Sequence, residues 1–344
     1  MAIDSQSPML QDIAVIDLSS VVFGPYCTQI LADLGAEVTK IEPPHGDTFR
    51  YSSKWANEVG MSAGHMTLNR GKKSVVLDLK TSDDLEVMRK LLTDADVFIH
   101  NVRHKGIARL GLDYEAVKAI NPDIVYVHCV GFGSAGPYAD YQAYDDVIQA
   151  MTGTATLLSR ADGNERPRYL PSLIADKAAG LHAAYATTAA IIHRLRTGEG
   201  QFVEVPMFEA FTHFMLKEHL SGKTFDPPLG PICYARQVDP DRQPFPTADG
   251  YVSIVPYTAD SWDRLYEAIG GAEFLADDKF STRKGRNRHL AELYQGISQY
   301  TRLKTTEELV NSLNAVNIPC MPIVDIDQIL EDPHLSEVGF FRKR

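Results

Sequence analysis

The chain has 344 residues, more than one ordinary core holds, and at about 150 residues per domain it should form roughly two domains. Hydrophobic residues at 44% and charged residues at 23% match globular proteins and exclude disordered, collagen-like and coiled-coil chains. A net charge of −11 argues against nucleic acid or an anionic membrane as the partner, and no apolar run reaches the ~18 residues of a membrane span. Cys27, Cys129, Cys233 and Cys320 stand far apart with no CxxC pair, which fits free thiols in a reducing, cytoplasmic compartment. Residues 1–10 show neither the basic nor the apolar region of a secretory leader.

Short β-rich runs alternate with helical patterns through the first half. Strands are predicted at Ile13–Ser19, Ala36–Glu42, Ser74–Leu79, Asp96–His100 and Ile124–Val130. They are continuous apolar runs, as strands buried on both faces should be. Between them helices are predicted over Pro25–Leu34, over Asp83–Ala95 behind the cap Ser82, and over Tyr114–Ile120, which Asn121-Pro122 stops. This cadence predicts an α/β fold with a mostly parallel sheet. A long alanine-rich helix follows, about Ile174 to Arg196, apolar around most of its circumference and therefore expected to be buried. A strand at Gln201–Pro206 and a helix at Phe208–Leu220 come next. From Ser221 the chain turns rich in Pro, Gly and Asp, a domain boundary signal. Strands at Tyr251–Pro256 and Cys320–Asp325 and helices at Ser261–Ile269, Asn287–Tyr300 and Thr305–Val316 complete the pattern.

Few local motifs carry chemistry. GFGSAG, Gly131–Gly136, matches a dinucleotide pattern and follows a strand, but Pro137 stands where the helix should continue, so a close-approach turn is the expected role. The eleven histidines show no metal-binding spacing, and no serine elbow or phosphate loop is present. No metal is expected, and the chemistry falls to carboxylates, tyrosine or backbone amides. Ligands of an open parallel sheet sit beyond the carboxyl ends of its strands. Lys80, Arg103, Lys105 and Arg109 follow strands and lie at that edge, which suits a polyanionic small ligand. Asn69–Lys73 (NRGKK) precedes its strand and reads as structural. Asp176 opens the long helix, as either an ordinary first-turn acid or a carboxylate kept ionised by the helix dipole for nucleophilic attack. Tyr144-Asp145-Asp146 ahead of VIQAM reads either as a cap or as a second polar wall of the same pocket.

Eight segments in order carry a resemblance: Val15–Asp47, Leu68–Lys80, Ala95–Glu115, Asn121–Tyr138, Tyr144–Gly153 and Arg194–Ala210, then more weakly Phe245–Ile254 and Asn317–Leu335. Together they resemble the class III coenzyme A transferases, the family of formyl-CoA transferase and the carnitine-pathway enzymes. The resemblance implies a large Rossmann-like CoA-binding domain over 1–221, a smaller α/β domain over 222–322, and a segment over 323–344 returning toward the large domain. It also implies an interlocked homodimer. The family usually runs further past Asp332–Leu335 than this chain, which stops at Arg344.

The same resemblance places the nucleophile at Asp176, with Tyr144 and Asp145 near the reacting thioester. CoA contacts are implied at Val21, Lys80, Asn101, Val102 and Arg109, with Val22, Gly24, Arg103 and Lys105 beside them. Val22-Phe23 replaces a polar or small pair of some members, which implies a tighter or more apolar acyl pocket. The implied chemistry transfers CoA from an acyl-CoA to a free carboxylic acid. Asp176 forms an acyl anhydride and then an aspartyl-CoA thioester, with no tightly bound cofactor. Oxyanion donors are expected around Phe23-Gly24 and at the start of the long helix. Arg236 and Arg242 read either as receivers of a second substrate carboxylate or as surface partners of Asp239 and Asp241. The alternatives are an α-methylacyl-CoA racemase of the same fold, which needs a histidine where Tyr144 stands, and an acyl-CoA binder without turnover.

Overall fold

The computed structural model describes residues 8–342. Residues 1–7 and the last two, parts of the stretches read for a leader and for the chain's close, lie outside the described residues. The chain divides into two compact units, one reaching Leu157 and continuing over Arg166–Ile232, the other made of Leu158–Glu165 and the chain from Cys233.

The first unit begins with β1 (Ala14–Leu18), α1 (Phe23–Asp33), β2 (Glu37–Glu42), α2 (Ala63–Asn69), β3 (Lys73–Val76) and α3 (Ser82–Thr93). It continues with β4 (Val97–His100), α4 (His104–Arg109), α5 (Tyr114–Ile120), β5 (Val125–Val130) and α6 (Asp145–Met151). After α7 (Leu157–Asp162), which apart from Leu157 belongs to the other unit, come α8 (Ile174–Thr197), β6 (Gln201–Pro206) and α9 (Met207–His219). All six strands are parallel in the order β3-β2-β1-β4-β5-β6, as the α/β cadence predicts. Chain direction reverses across the sheet between β1 and β4, the switch point where such folds bind ligands.

The apolar runs are continuous because alternate residues serve two cores. Val97, Ile99, Val125 and Val127 pack with Phe23, Leu31, Ala179 and Phe211 from α1, α8 and α9. Phe98 and Tyr126 point the other way, to Met88, Leu92, Ile107 and Val117 from α3, α4 and α5. Local differences from the sequence pattern have local causes. α1 starts at Phe23, so Pro25 is its third residue, where no intrahelical N–H partner is needed. Thr81, not Ser82, caps α3 by accepting the Asp84 N–H at 3.3 Å. α8 ends at Gly198, whose φ of 77° closes the helix. The expectation that this helix is buried around its circumference fails: Leu181, Tyr185, Ile192 and Leu195, one stripe at helical spacing, are 49–68% exposed. The core it shares with the sheet, α1 and α9 takes up only the opposite side.

The Pro- and Gly-rich stretch after α9 first folds back on itself through Gly222–Pro231 and Leu229–Gly222 backbone bonds, and the boundary between the units falls within it, between Ile232 and Cys233. The second unit contains β7 (Phe245–Pro246), β8 (Tyr251–Ile254), α10 (Ala259–Ile269), α11 (Arg283–Arg288), α12 (Leu290–Thr301), α13 (Thr306–Ala315), β9 (Cys320–Pro322) and α14 (Pro333–Glu337). Its antiparallel sheet, β7-β8-β9, shares a core with Trp262, Leu265, Tyr266, Leu293 and Leu309. Among the described residues no helix is long and apolar enough to cross a membrane.

Candidate active site

Two carboxylates meet where α6 and α8 begin. Asp145, the first residue of α6, is buried, and its Oδ1 accepts the N–H groups of Ala175 at 2.7 Å and Asp176 at 3.0 Å. It therefore caps α8 from a neighbouring element, satisfying amides the helix leaves open. Its Oδ2 accepts from Gln149 Nε2 at 2.6 Å, one turn along α6. Gln149, fully buried, also reaches the carbonyls of Leu170 and Ser172 and accepts the Leu170 N–H, fixing the approach to α8. Asp176 is 8% exposed in the first turn of α8. Burial and the Asp145 charge push its carboxyl up to about 7, and no hydrogen bond among the described residues offsets them. Desolvation and the like charge of Asp145 thus oppose the ionised form that a helix dipole favours. Tyr144, just before Asp145, is 63% exposed and its side chain caps nothing.

The amides at the start of α8 are all engaged: Ile174 with Ser172, Lys177 with Leu173, and Ala175 and Asp176 with Asp145. The expected oxyanion donors there are thus occupied. At α1 the helix has no side-chain cap, and the N–H groups of Phe23 and Gly24 lie in its first turn. Helix α1 and α8 touch closely: a Cβ on Gly180, one turn past Asp176, would fall 3.0 Å from the Phe23 carbonyl and 2.9 Å from the Tyr26 ring. Gly24 is as constrained, since a Cβ there would fall 2.3 Å from the Ser19 Cβ. Val22 and Phe23 are both buried, Phe23 within the core.

The β1–α1 turn is strained and pinned. Val21 has φ 72°, a left-handed conformation that β-branched residues rarely adopt. Its N–H lies 3.1 and 3.2 Å from the two Asp47 carboxylate oxygens. Asp47 is paired with Lys40 at 3.0 Å, and both side chains are buried. Lys40 also donates to the Ser19 carbonyl at 2.7 Å. Beneath the turn, fully buried Asp17 accepts from Ser19, from Thr28 at 2.6 Å and from Lys72 at 3.2 Å. Burial brings Lys72 down to about 8 even beside Asp17. The structural reading of NRGKK holds for Lys72, while Arg70 and Lys73 pair on the surface with Asp33 and Glu37. On the far side, Asn101 clamps the turn, accepting the Ser20 N–H at 3.0 Å and donating to the Ser20 carbonyl at 2.9 Å.

A cavity of about 350 Å³ opens at the carboxyl ends of β1, β2, β3 and β4. Lys80, Asn101 and Val102 line it, with Ser19, Ser20 and Asp47 of the turn region. Val21, Val22, Gly24, Arg103, Lys105 and Arg109 are outside its wall. Lys105 pairs with Asp140 at 2.8 Å, and Arg109 donates to the Lys105 carbonyl at 3.1 Å, both exposed on the short helix α4. GFGSAG is a close-approach turn: Gly133 N–H donates to Glu209 at 3.0 Å and Ser134 N–H to Glu204 at 2.9 Å, so acids hold the amides a phosphate would need. In the second unit the Arg236 guanidinium stacks 4.6 Å from the Tyr257 ring, and Arg242 donates to Gln237 at 3.1 Å. Among the described residues neither arginine pairs with Asp239 or Asp241, so that surface reading falls.

Sequence reasoning missed Gln149, Asp47 and the buried Asp17–Lys72 pair. Gln149 carried a usable signal, lying four residues from Asp145 on one helix face. Asp47 and Asp17 did not, because their partners come from distant segments.

Fold and site define a doubly wound α/β protein with a ligand-sized cavity at its switch point and a buried carboxylate pair at a helix start. The chain belongs to CoA-transferase family III, whose model matches residues 10–344, as the resemblance implied. It is thus an enzyme of coenzyme A transfer. It is 33% identical to a succinate–glutarate CoA-transferase of Agrobacterium fabrum, over 97% of this chain and 85% of that protein. It is 31% identical to a succinyl-CoA–D-citramalate CoA-transferase of Chloroflexus aurantiacus, over 94% and 81%. The crystal structure of a CaiB/BaiF family protein from Brucella suis superposes with TM-score 0.82 at 30% identity, over 97% and 89%.

Proposed function

We propose that this enzyme moves CoA from an acyl-CoA to a free carboxylic acid by covalent catalysis on Asp176. The observation that carries the reading is a buried carboxyl at the head of α8 with no donor of its own, held near neutrality by burial and Asp145. Such a group is poorly solvated as an anion and correspondingly reactive. The Asp176 carboxylate attacks the thioester carbonyl, forming an acyl anhydride as the C–S bond breaks and CoA thiolate leaves. The thiolate attacks the aspartyl carbonyl, expelling the acyl group as its free acid and leaving an aspartyl-CoA thioester. The acceptor carboxylate then attacks that thioester, and the returning thiolate takes the new acyl group and frees Asp176. Asp145 is a positioning residue, fixing the backbone that carries the nucleophile. The Phe23 and Gly24 amides are the remaining oxyanion donors.

The nucleotide end of CoA is assigned to the cavity lined by Lys80, Asn101 and Val102, with Arg103, Lys105 and Arg109 supplying charge beside it. The strained turn at Val21 and Val22 then leads the pantetheine arm toward Asp176, because Ser19 and Ser20 line the cavity while Phe23 touches α8. No tightly bound cofactor is required. Both relatives' names carry a succinyl donor or a dicarboxylic acid, so a short dicarboxylate is the proposed acceptor. The exposed stripe on α8 supports a homodimer, since an apolar face of this kind is usually covered. Free thiols support a cytoplasmic site.

The test is CoA exchange read by mass spectrometry, with succinyl-CoA and a panel of mono- and dicarboxylic acids. New thioesters that vanish in Asp176→Ala support the reading. Deuterium uptake at the α-carbon of a 2-methylacyl-CoA, without exchange, would replace it by the racemase.

A further inference from the structure

Local spacings gave no metal set, but the fold brings three possible ligands together from three elements. Sheet register sets His100 of β4 beside His128 of β5, and His128 beside Glu204 of β6. The His100 and His128 rings stack at 4.2 Å, and His104, opening α4, meets His128 edge-on at 4.4 Å. One ligand atom from each of His104, His128 and Glu204 lies within 4.8 Å of the others.

Each member is chemically prepared for a cation. The His128 Nε2 lies 2.8 Å from the Val102 carbonyl. Donating there leaves its other nitrogen with the lone pair, the tautomer pattern of metal-bound imidazoles. Glu204 Oε1 accepts from the Ser134 N–H and hydroxyl, at 2.9 and 3.1 Å. Its Oε2 is buried with no hydrogen-bond partner, an arrangement that is costly for a carboxylate oxygen. His104 Nε2 stands 3.5 Å from that oxygen. A tetrahedral site with bonds of about 2.0–2.1 Å has ligand–ligand edges of about 3.3–3.4 Å. The His104–Glu204 edge, at 3.5 Å, nearly meets this already.

We propose that His104, His128 and Glu204 bind a divalent first-row transition ion, Zn²⁺ by ligand chemistry, with a fourth position left to water. Two imidazoles and one carboxylate form a three-ligand set suited to that ion. The Val102 carbonyl that orients His128 belongs to the cavity wall, so the ion would brace the β4–α4 connection against β5 and β6.

The test titrates Co²⁺ into untagged, chelator-treated protein and follows its visible absorption, then displaces it with Zn²⁺. Variants are His104→Ala, Glu204→Gln and, as a control on a surface His–Glu pair 3.9 Å apart, His193→Ala. Expected are one equivalent of tetrahedral-type Co²⁺, at least tenfold weaker binding in His104→Ala and Glu204→Gln, and no change in His193→Ala. Circular dichroism checks that each variant is folded, and His104, on the exposed helix α4, is the variant least able to disturb the core. Absence of saturable binding, or equal affinity in folded His104→Ala, would overturn the site.

Discussion

Replacing Asp176 by Asn should stabilise this protein in a pH-dependent way while abolishing transfer. The carboxyl is raised from 3.8 to about 7 by burial and the Asp145 charge. The folded state therefore holds this proton more tightly than the unfolded chain. The stabilisation is complete below pH 4 and is lost as pH rises through 7, reaching about 4 kcal/mol at 1.36 kcal/mol per pH unit. Asn keeps the shape without the charge, so the variant escapes that loss. Working the linkage at two pH values, the stability gap between variant and wild type should widen by about 2–3 kcal/mol from pH 5 to pH 8.5. At roughly 2 °C per kcal/mol for a chain of this size, the difference in Tm should grow by about 5 °C. Differential scanning calorimetry in matched buffers measures it. A gap that stays constant between the two pH values would show that Asp176 titrates as an ordinary acid and would refute the argument.

Other perturbations have equally defined outcomes. Asp145→Asn removes the like charge, so the acidic limb of kcat/KM, set by Asp176, should move to lower pH. The same variant should lose about 1–3 kcal/mol, because Gln149 Nε2 faces a donor instead of an acceptor; rate profiles and melts read the two effects separately. Asn101→Ala unpairs both backbone groups of Ser20 and should raise the KM for acyl-CoA roughly tenfold, with kcat less affected, in initial-rate assays. Lys72→Met strips the fully buried Asp17 of a partner and should cost about 3–5 kcal/mol in urea unfolding. Lys73→Met, at an exposed pair with Glu37, should cost less than about 1 kcal/mol.

The centre of the sheet was legible because β4 and β5 are buried on both faces, which leaves the uninterrupted apolar runs at Val97–Ile99 and Val125–Val127. Strand polarity alone separated Lys80 from NRGKK, and Lys80 lines the cavity while Lys72 is locked beneath the turn. The short helices α2 and α4 escaped because neither is followed by a proline stop signal such as the Asn121-Pro122 pair that marked the equally short α5. The state of Asp176 escaped for a different reason. Sequence shows the helix dipole but not the depth of burial or the approach of Asp145 from 31 residues away. The exposed stripe on α8 misled in the same way, since composition reports that a face is apolar and not what covers it. The His104–His128–Glu204 group lies across three elements and shows itself only through register.

Asp176 is proposed to carry CoA during turnover. Incubation with succinyl-CoA in the absence of an acceptor, acid quenching and peptide mass mapping tests it directly. CoA is expected in thioester linkage on the peptide containing Asp176, released by hydroxylamine and absent from Asp176→Ala. Steady exchange without that adduct, an adduct on another residue, or wild-type exchange by Asp176→Ala would contradict it.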